Sequence, residues 1–322
     1  MIITIIRSVF ICLSVCGALN QSIPQVEGCS KSGLPRRGNG RLDLKNPPSA
    51  DGGIPAQKKT NSLADPTQLL TRRTTRQETV RFGYGGTVSL VGAPEGSITI
   101  EGWSRSEVEV VGEIELRAET EEDLARLATV NGFLVDPQAN HLSILTTGTH
   151  DRTYMRRVAK DFPKKLLGLP WAIAYKIHVP TYTDLEIDTG RGPIHLNGVE
   201  GGIRLTATQS ETQLTLTGGI VSATIASGKV KLTIPARSWR GSGADIRLAS
   251  GELTIELPVG FSGEIDATIL RSGRIEQEYP GLEARERQGF TAKQIKARAG
   301  VGGPTFQFTV GDGTIYIRKA SQ

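Results

Sequence analysis

From Val80 onward the chain alternates apolar and polar residues in short runs, which glycine-containing pairs separate. Alternation with a period of two is typical of strands that bury one face. The pattern predicts an all-β fold over residues 80–320. The clearest runs lie at 185–188, 194–196, 203–205, 214–216, 223–225, 230–234, 246–248, 253–257, 306–308 and 315–317.

The separating pairs recur at a nearly constant interval. The interval is measured between one residue of each pair, at Gly192, Glu211, Gly228, Gly251 and Gly273. Self-similarity at a period of about 20 residues indicates a stack of coils in which each coil covers its neighbour. We therefore predict a single-chain β-solenoid, or β-helix, of short strands joined by tight glycine-containing turns. A β-sandwich is the alternative, because it also has frequent turns, but its strand–turn–strand units vary more.

The residues that follow each predicted turn should form rows on the outer face of the stack. Lys229, Glu252 and Arg274 would make one row of alternating charge, and Lys231, Thr254 and Glu276 would make the next. Opposite charges across neighbouring strands stabilise a sheet and discourage pairing with other chains.

Two segments depart from the strand pattern within the repeat region. Residues 120–123 (TEED) match a helix capping box and precede Leu124, Leu127 and Ala128 at helical spacing, which predicts one short helix near 121–130. Residues 280–303 interrupt the last repeat interval and form an insertion, charged at 283–287 and glycine-rich at 300–303.

The N-terminal part of the chain, before the strand pattern begins, predicts export and a linker. Residues 1–18 form an apolar leader with one Arg, which fits a signal peptide, an N-terminal anchor or lipid attachment at Cys16. Residues 19–79 are rich in Pro, Gly and basic residues, and they predict a disordered linker. Only Cys29 remains after the leader, so no disulfide framework forms within the mature chain.

The distribution of charge argues against nucleic acid as a partner. Residues 20–79 hold ten Lys/Arg and five Asp/Glu, whereas residues 80–322 hold 27 Lys/Arg and 28 Asp/Glu. The net charge of +5 therefore comes from the linker and the leader, and the repeat region is close to neutral.

One basic segment inside the repeat region is the candidate interaction patch. Residues 149–172 interleave cations with Tyr154, Met155, Val158, Phe162 and Trp171. Such a segment either contacts a membrane or an acidic partner, or it packs its apolar residues on the β domain and leaves its charges in water. The patch consists of Arg152, Arg156, Arg157, Lys160, Lys164 and Lys165.

The order of several segments resembles a known family. A block at 89–116 (SLVGAPEGSITIEGWSRSEVEVVGEIEL) precedes the short helix, YKIHVP follows at 175–180, and Ser-Gly turns lead to IELPVGF and a closing VGDGTIYIRK. Over about residues 80–320 the chain resembles the bacterial domain of unknown function labelled putative adhesin. The resemblance implies a β-solenoid of the cell envelope with no assigned catalytic residues.

No motif for catalysis or metal binding stands out. His141, His150, His178 and His195 lack ligand spacing, and the sequence contains no HExxH, GxSxG or P-loop. Asp184, Asp188 and Asp266 would hold Ca²⁺ only if the fold grouped them, and a lyase would need Asp188 and Asp266 beside Arg204 or Arg247. We expect no catalytic residues, no metal and no cofactor.

The expected function is a non-catalytic, exported envelope module that presents a binding surface, as an adhesin or an interaction domain. Its partner would be an envelope protein, a polysaccharide or a membrane surface, and its place the periplasm, the outer surface or the medium, with or without an N-terminal anchor. Two alternatives remain: a carbohydrate-active β-helix enzyme resembling polysaccharide lyases, and an envelope-stress accessory that contacts a membrane sensor.

Overall fold

The computed structural model of the chain describes residues 69–287 and 289–320. The leader at 1–18 and most of the linker lie outside the described residues. The described part is all-β, as predicted, and a single hydrogen-bonded network joins 16 strands. The strands are β1 Leu70–Arg81, β2 Thr87–Glu95, β3 Ile98–Trp103, β4 Glu107–Ala118, β5 Gly132–Gln138, β6 His141–Thr147, β7 Trp171–Pro180, β8 Asp184–Arg191, β9 Ile194–Asn197, β10 Gly202–Thr215, β11 Gly218–Thr233, β12 Arg240–Leu257, β13 Gly263–Gln277, β14 Leu282–Ala284, β15 Gln294–Ala299 and β16 Thr305–Lys319.

Two α-helices and one short 3₁₀ helix complete the described elements. Helix α1 spans Glu121–Val130, helix α2 spans Arg152–Val158, and the 3₁₀ helix spans Lys164–Leu166. The predicted helix is confirmed as α1, and the Asp123 backbone N–H donates to Oγ1 of Thr120 at 3.1 Å. Leu124 and Leu127 are buried as expected, but Ala128 is exposed and Val130 takes its place in the core.

The long strands pair in parallel at a regular offset. Ile203 of β10 pairs with Leu185 of β8 on one side and with Val221 of β11 on the other. The number of residues between paired positions, which we call the offset, is therefore the same on both sides. Val221 in turn pairs with Ala244 of β12, at a slightly larger offset. Parallel pairing brings equivalent positions of successive segments side by side, so their apolar residues line up in columns.

The turns predicted at Glu211, Gly228, Gly251 and Gly273 are bends inside long strands, and this part of the expectation is wrong, whereas Gly192 lies between β8 and β9. The ladder continues through each bend, with Gly228 paired to Ser210 on one side and to Gly251 on the other. A hairpin turn would reverse the chain and give antiparallel pairs, whereas here both halves of each strand keep parallel neighbours. At the bend the alternation of buried and exposed residues shifts by one position. Thr208 and Gln209 of β10, for example, are adjacent and both exposed.

Glycine is required at the bends because the backbones approach closely. Gly251 has φ +140°, and a Cβ built on it would lie 1.8 Å from the carbonyl oxygen of Gly228. Such a conformation is essentially restricted to glycine. The regular spacing of glycines along the sequence therefore reflects the stacking of the bends in the structure.

The last strand does not stack in chain order. β16 lies between β12 and β13, so Gly313 pairs with both Gly251 and Gly273. The expectation that each coil would contact the next one in sequence is wrong at this point. The insertion at 280–303 includes β15, which pairs with one side of β13, and the chain then crosses so that β16 pairs with the opposite side of β13.

The predicted outer rows change accordingly. Lys229 and Glu252 are paired, with Nζ and Oε2 3.4 Å apart. Thr314 then separates Glu252 from Arg274, and Arg274 bonds Glu276 of its own strand at 2.6 Å. In the second row, Tyr316 lies between Thr254 and Glu276.

The core is built from apolar columns contributed by the two halves of each long strand. One column runs through the first halves of the strands, and the other runs through the second halves. All of these side chains are at most 1% exposed, so their burial is the main favourable term of folding. The columns are Leu205, Ala223, Ile246, Phe308 and Ala267, and Leu214, Leu232, Ile255 and Ile317.

The insertion at 280–303 extends the sheet. Strand β15 pairs antiparallel with β13, and β14 pairs with β15. Arg285 of the insertion bonds Glu264 of β13 at 2.7 Å and also contacts Asp266 of that strand, and Lys296 of β15 bonds Glu286 within the insertion at 2.6 Å.

The boundary predicted between linker and domain needs a correction. Residues 70–79, which the composition assigned to the linker, belong to β1, an edge strand paired antiparallel with β4. Arg72 bonds Glu121 and Arg73 bonds Glu115, each at 2.9 Å, so two of the linker's basic residues neutralise acids of the β domain. An edge strand with exposed charges is typical of natural sheets, and its composition resembles that of a linker.

Candidate functional site

The candidate interaction patch lies on the segment between β6 and β7. Asp151 caps the short helix α2, and its Oδ1 accepts from the backbone N–H groups of Thr153 at 2.8 Å and Tyr154 at 3.0 Å. Met155 and Leu166 are buried, while the cations between them are exposed. The segment therefore buries Met155 and Leu166 and turns its charges to solvent, while Val158 and Leu167 stay exposed.

Two polar contacts anchor this segment to α1 and to the residue that follows it. At the start, the backbone N–H of Thr149 donates to Oδ1 of Asn131 at 2.9 Å. Near the end, Nζ of Lys165 bonds Oδ2 of Asp123 at 3.0 Å. The hydrogen bond from Lys165 holds the pKa of Asp123 below its ordinary value, so this carboxylate stays ionised at neutral pH.

A groove of about 800 Å³ opens beside α2, and we call it the basic groove. Four of its lining residues are exposed cations, each four positions after the previous one. Arg152 and Arg156 project from the same side of α2, and Lys160 and Lys164, in the segment after the helix, line the same groove. The cations are Arg152, Arg156, Lys160 and Lys164, and the other lining residues are Thr149, His150, Met155, Ala159, Phe162, Leu167 and Gly168.

The charge of the basic groove is not balanced by its own lining. Among the described residues, no Asp or Glu lines it. The nearest acids in sequence are Asp151, which caps α2, and Asp161, which lines the neighbouring groove described below. Four cations facing one concave surface create a positive potential that attracts anions.

Part of the lining of the basic groove is apolar, and we call Met155, Phe162 and Leu167 its apolar floor. Met155 is buried, Phe162 is half-buried, and Leu167 is 41% exposed. His150 contributes an aromatic wall and stacks at a tilt on Trp171, with ring centroids 5.3 Å apart. Desolvation lowers the pKa of His150, so its ring is neutral at neutral pH and adds no charge to the groove.

A second groove of the same volume lies on the other side of residues 158–163 and serves as a comparison. We call it the mixed groove, because Glu122 and Asp161 line it together with Arg126 and Lys160. Nη2 of Arg126 bonds Glu122 at 2.6 Å, so part of its charge is paired internally. The two grooves thus have similar size and different electrostatics.

The structure brings together four of the six predicted patch residues. Arg157 lines neither groove, and Lys165 is the anchor that binds Asp123. His150 and Leu167 also line the groove, although no pattern in the sequence marks them as lining residues. Arg152 and Arg156 are four residues apart within α2, but Lys160 and Lys164 lie beyond its end, so spacing in the sequence does not by itself select the four groove cations.

The acids that a metal or lyase site would need are dispersed. Asp184 accepts a hydrogen bond from the backbone N–H of Gly202 at 2.6 Å, and Asp266 contacts Arg285. Asp184 and Asp188 lie on β8, whereas four strands separate β8 from β13, which carries Asp266. Arg204 pairs with Glu186 at 3.4 Å and Arg247 with Asp245 at 2.7 Å. Over 69–287 and 289–320, no group of three His, Cys, Asp or Glu residues is arranged to hold a metal ion.

A second histidine, His178, lies in a polar row on the outer face of the sheet. His178 of β7 lies between two carboxylates, with Nδ1 2.9 Å from Glu109 and Nε2 3.2 Å from Glu101. Its ring stacks on Trp103 at 4.9 Å, and Arg105 covers the same indole at 4.8 Å. These contacts tie β3, β4 and β7 together across the sheet. His195 is half-buried on β9, with its neighbours Ile194 and Leu196 buried.

The helices of the described part are short. Measured over those residues, none has the length and apolar content needed to cross a bilayer.

Comparisons with known proteins give neighbours among solved structures. No family model matches the chain, and no curated protein matches it. A putative cell adhesion protein from Clostridium sporogenes is similar at 13% identity and a TM-score of 0.39, over 77% of this chain and 100% of that one. A putative adhesin from Bacteroides fragilis is similar at 12% identity and a TM-score of 0.29, over 77% and 97%. A putative adhesin from Parabacteroides merdae gives 11% identity and a TM-score of 0.22, over 76% and 96%. The family name suggested by the sequence is thus also the name of similar solved structures.

Proposed function

We propose that the protein is a non-catalytic, exported module of the bacterial cell envelope, and that the basic groove is where it binds an anionic partner. The β domain would act as a β-solenoid scaffold that holds the groove on a rigid surface. The apolar leader at 1–18 supports export, and the linker that follows would give the domain reach from a membrane or from the cell surface.

The solenoid part of this proposal is supported by the pairing of the long strands. Successive segments pair in parallel at nearly constant offsets along the chain, and their bends stack through close backbone contacts. Such stacks have long regular faces, which suit the presentation of a binding surface.

The charge of the basic groove is the observation that carries the proposed function. Elsewhere on the domain exposed cations commonly face an acid, as Arg72, Arg73 and Lys229 do. In the groove, Arg152, Arg156, Lys160 and Lys164 converge with no acid in the lining that the structure describes. Four like charges held close together repel one another, so a bound anion would relieve a cost that the free protein bears.

Retention on anionic polymers tests the proposal. The full-length protein is passed over immobilised polygalacturonate, dextran sulfate and neutral dextran at low and high salt. We expect salt-sensitive retention on the two anionic polymers, which the triple variant Arg156→Gln, Lys160→Gln, Lys164→Gln weakens about tenfold.

The linker also carries basic residues, so the control must change net charge by the same amount outside the grooves. Arg191→Gln, Arg237→Gln and Arg298→Gln together do so, because all three side chains are exposed and line neither groove. Equal weakening by the two triple variants would mean that net charge alone drives retention, and the proposed function would be wrong.

A further inference from the structure

The basic groove combines charge with an apolar floor, and this combination narrows the class of ligand. This inference rests on the proposed function, since it names the ligand of the same groove. Met155, Phe162 and Leu167 offer apolar surface in the same groove as the four cations, which we call its rim. A hydrophilic polyanion would use only the rim and leave the floor in contact with water.

We propose that the basic groove binds an amphiphilic anion, a molecule with an alkyl chain and a phosphate or carboxylate head. The chain would cover Phe162 and Leu167, and the head would contact Arg156 and Lys164. A volume of about 800 Å³ lies within the range of small-ligand sites, which are concave, largely apolar and equipped with a few polar groups.

The exposure of Leu167 supports the apolar part of this ligand. Leu167 is 41% exposed although it follows directly on the buried Leu166, so the backbone places one leucine in the core and the next in the groove. Burying exposed aliphatic surface under an alkyl chain is favourable in proportion to the area removed from water.

The geometry of the cations supports the anionic head. Arg156 and Arg157 are neighbours on α2, yet only Arg156 lines the basic groove. A guanidinium binds phosphate or carboxylate through paired N–H donors, and this contact strengthens when apolar surface nearby excludes water. The position of Arg156 beside an apolar floor meets both conditions.

Calorimetric titration of the full-length protein tests the assignment with four probes kept below their micelle concentrations. Dodecyl phosphate and laurate carry both ligand parts, inorganic phosphate carries only the charge, and dodecyl maltoside carries only the chain. We expect at least one of the two amphiphilic anions to bind about tenfold more tightly than either single-part probe. The tighter of the two identifies the head group.

Two matched pairs of variants locate the binding. Arg156→Gln should weaken binding about tenfold, whereas its neighbour Arg157→Gln should leave it unchanged. Leu167→Gln should weaken binding, whereas Val158→Gln, which is 54% exposed and lines the mixed groove, should have no effect. All four side chains are exposed, so these changes leave the packing of the domain intact.

The outcomes separate this inference from the proposed function. If inorganic phosphate or dodecyl maltoside binds as tightly as the amphiphilic anions, or if Arg157→Gln weakens binding as much as Arg156→Gln, the inference is wrong. Groove-dependent retention on anionic polymers would then still support the proposed function. If neither the amphiphiles nor the polymers respond to the groove variants, both proposals fail.

Discussion

The carboxylate of Asp312 on β16 accepts a hydrogen bond from Nε of Arg271 on β13, with the two atoms 2.8 Å apart. Oγ of Ser272 donates to the other oxygen of the same carboxylate at 2.7 Å. These contacts lie at the bend where Gly313 pairs with Gly273. One ionised side chain thus fastens the last strand to β13 at the point where both strands change direction.

This arrangement predicts a pH-dependent stability. The hydrogen bond from Arg271, followed by that from Ser272, lowers the pKa of Asp312 from 3.8 to about 2. Because the folded-state pKa is depressed, its contribution is fully present above about pH 4 and is lost as the pH falls towards 2. Asp312→Asn should therefore lower the urea midpoint at pH 7, and the gap to the unmodified protein should close near pH 2.

A double-mutant cycle checks that the effect comes from this pair. If the contact with Arg271 dominates, Asp312→Asn combined with Arg271→Gln should be no less stable than Asp312→Asn alone. Additive losses from the two changes would contradict the assignment.

Substitution at a bend glycine should be severely destabilising. In Gly251→Ala the new Cβ would meet the carbonyl oxygen of Gly228 at 1.8 Å, at a φ of +140°. We expect a loss of about 3 kcal/mol or more in the free energy of unfolding, measured by urea denaturation.

Substitutions at two other glycines separate the effect of backbone strain from that of steric overlap. Gly281 has φ +90° with open space around its Cβ position, so Gly281→Ala should show backbone strain alone, about 1–2 kcal/mol. Gly83 has neither a positive φ nor a close neighbour, and Gly83→Ala should be nearly neutral. A Gly251→Ala protein as stable as Gly281→Ala would show that the bends can separate without cost.

Removal of β16 should abolish cooperative folding. A chain ending at Gly303 lacks the strand that pairs with both β12 and β13 and that buries Phe306, Phe308 and Ile317. We expect this chain to lose its sharp thermal transition in circular dichroism, whereas removal of residues 321–322 should leave the transition unchanged. An unaltered transition in the shorter chain would rule out a structural role for the central position of β16.

The anchor of the basic groove predicts a local effect. Asn131→Ala leaves the backbone N–H of Thr149 without its acceptor, at a cost of about 1–3 kcal/mol. Opening of residues 149–170 should then speed tryptic cleavage at Arg152, Arg156 and Arg157 while the global unfolding midpoint falls by less. Asn197→Ala, at an exposed position on β9, is the control and should cleave like the unmodified protein.

Local patterns predicted local structure well. The capping residues at 120–123 located α1, and alternation located the strands, because both depend on neighbours within a few residues. The offset between paired strands was also visible in the glycine spacing, since Gly228 and Gly251 are themselves paired. The place of β16 was not, because periodicity does not determine which segments become neighbours after the long interval between Gly273 and Gly313.

The candidate site was predicted in part. Composition identified the basic segment, but it could not separate Lys165, whose partner Asp123 lies far earlier in the chain, on α1. It could not identify Leu167 as part of a groove either, because the difference between Leu166 and Leu167 arises only from packing. The charged edge strand β1 was assigned to the linker for a related reason, since its acidic partners lie on β4 and α1.

The position of β16 also bears on how the protein is made. The ribosome synthesises β12 and β13 before β16, so both strands emerge before the segment that fills the slot between them. Until β16 follows, both strands have unpaired edges that can pair with other nascent chains. The full sheet can therefore form only after β16 itself has been synthesised.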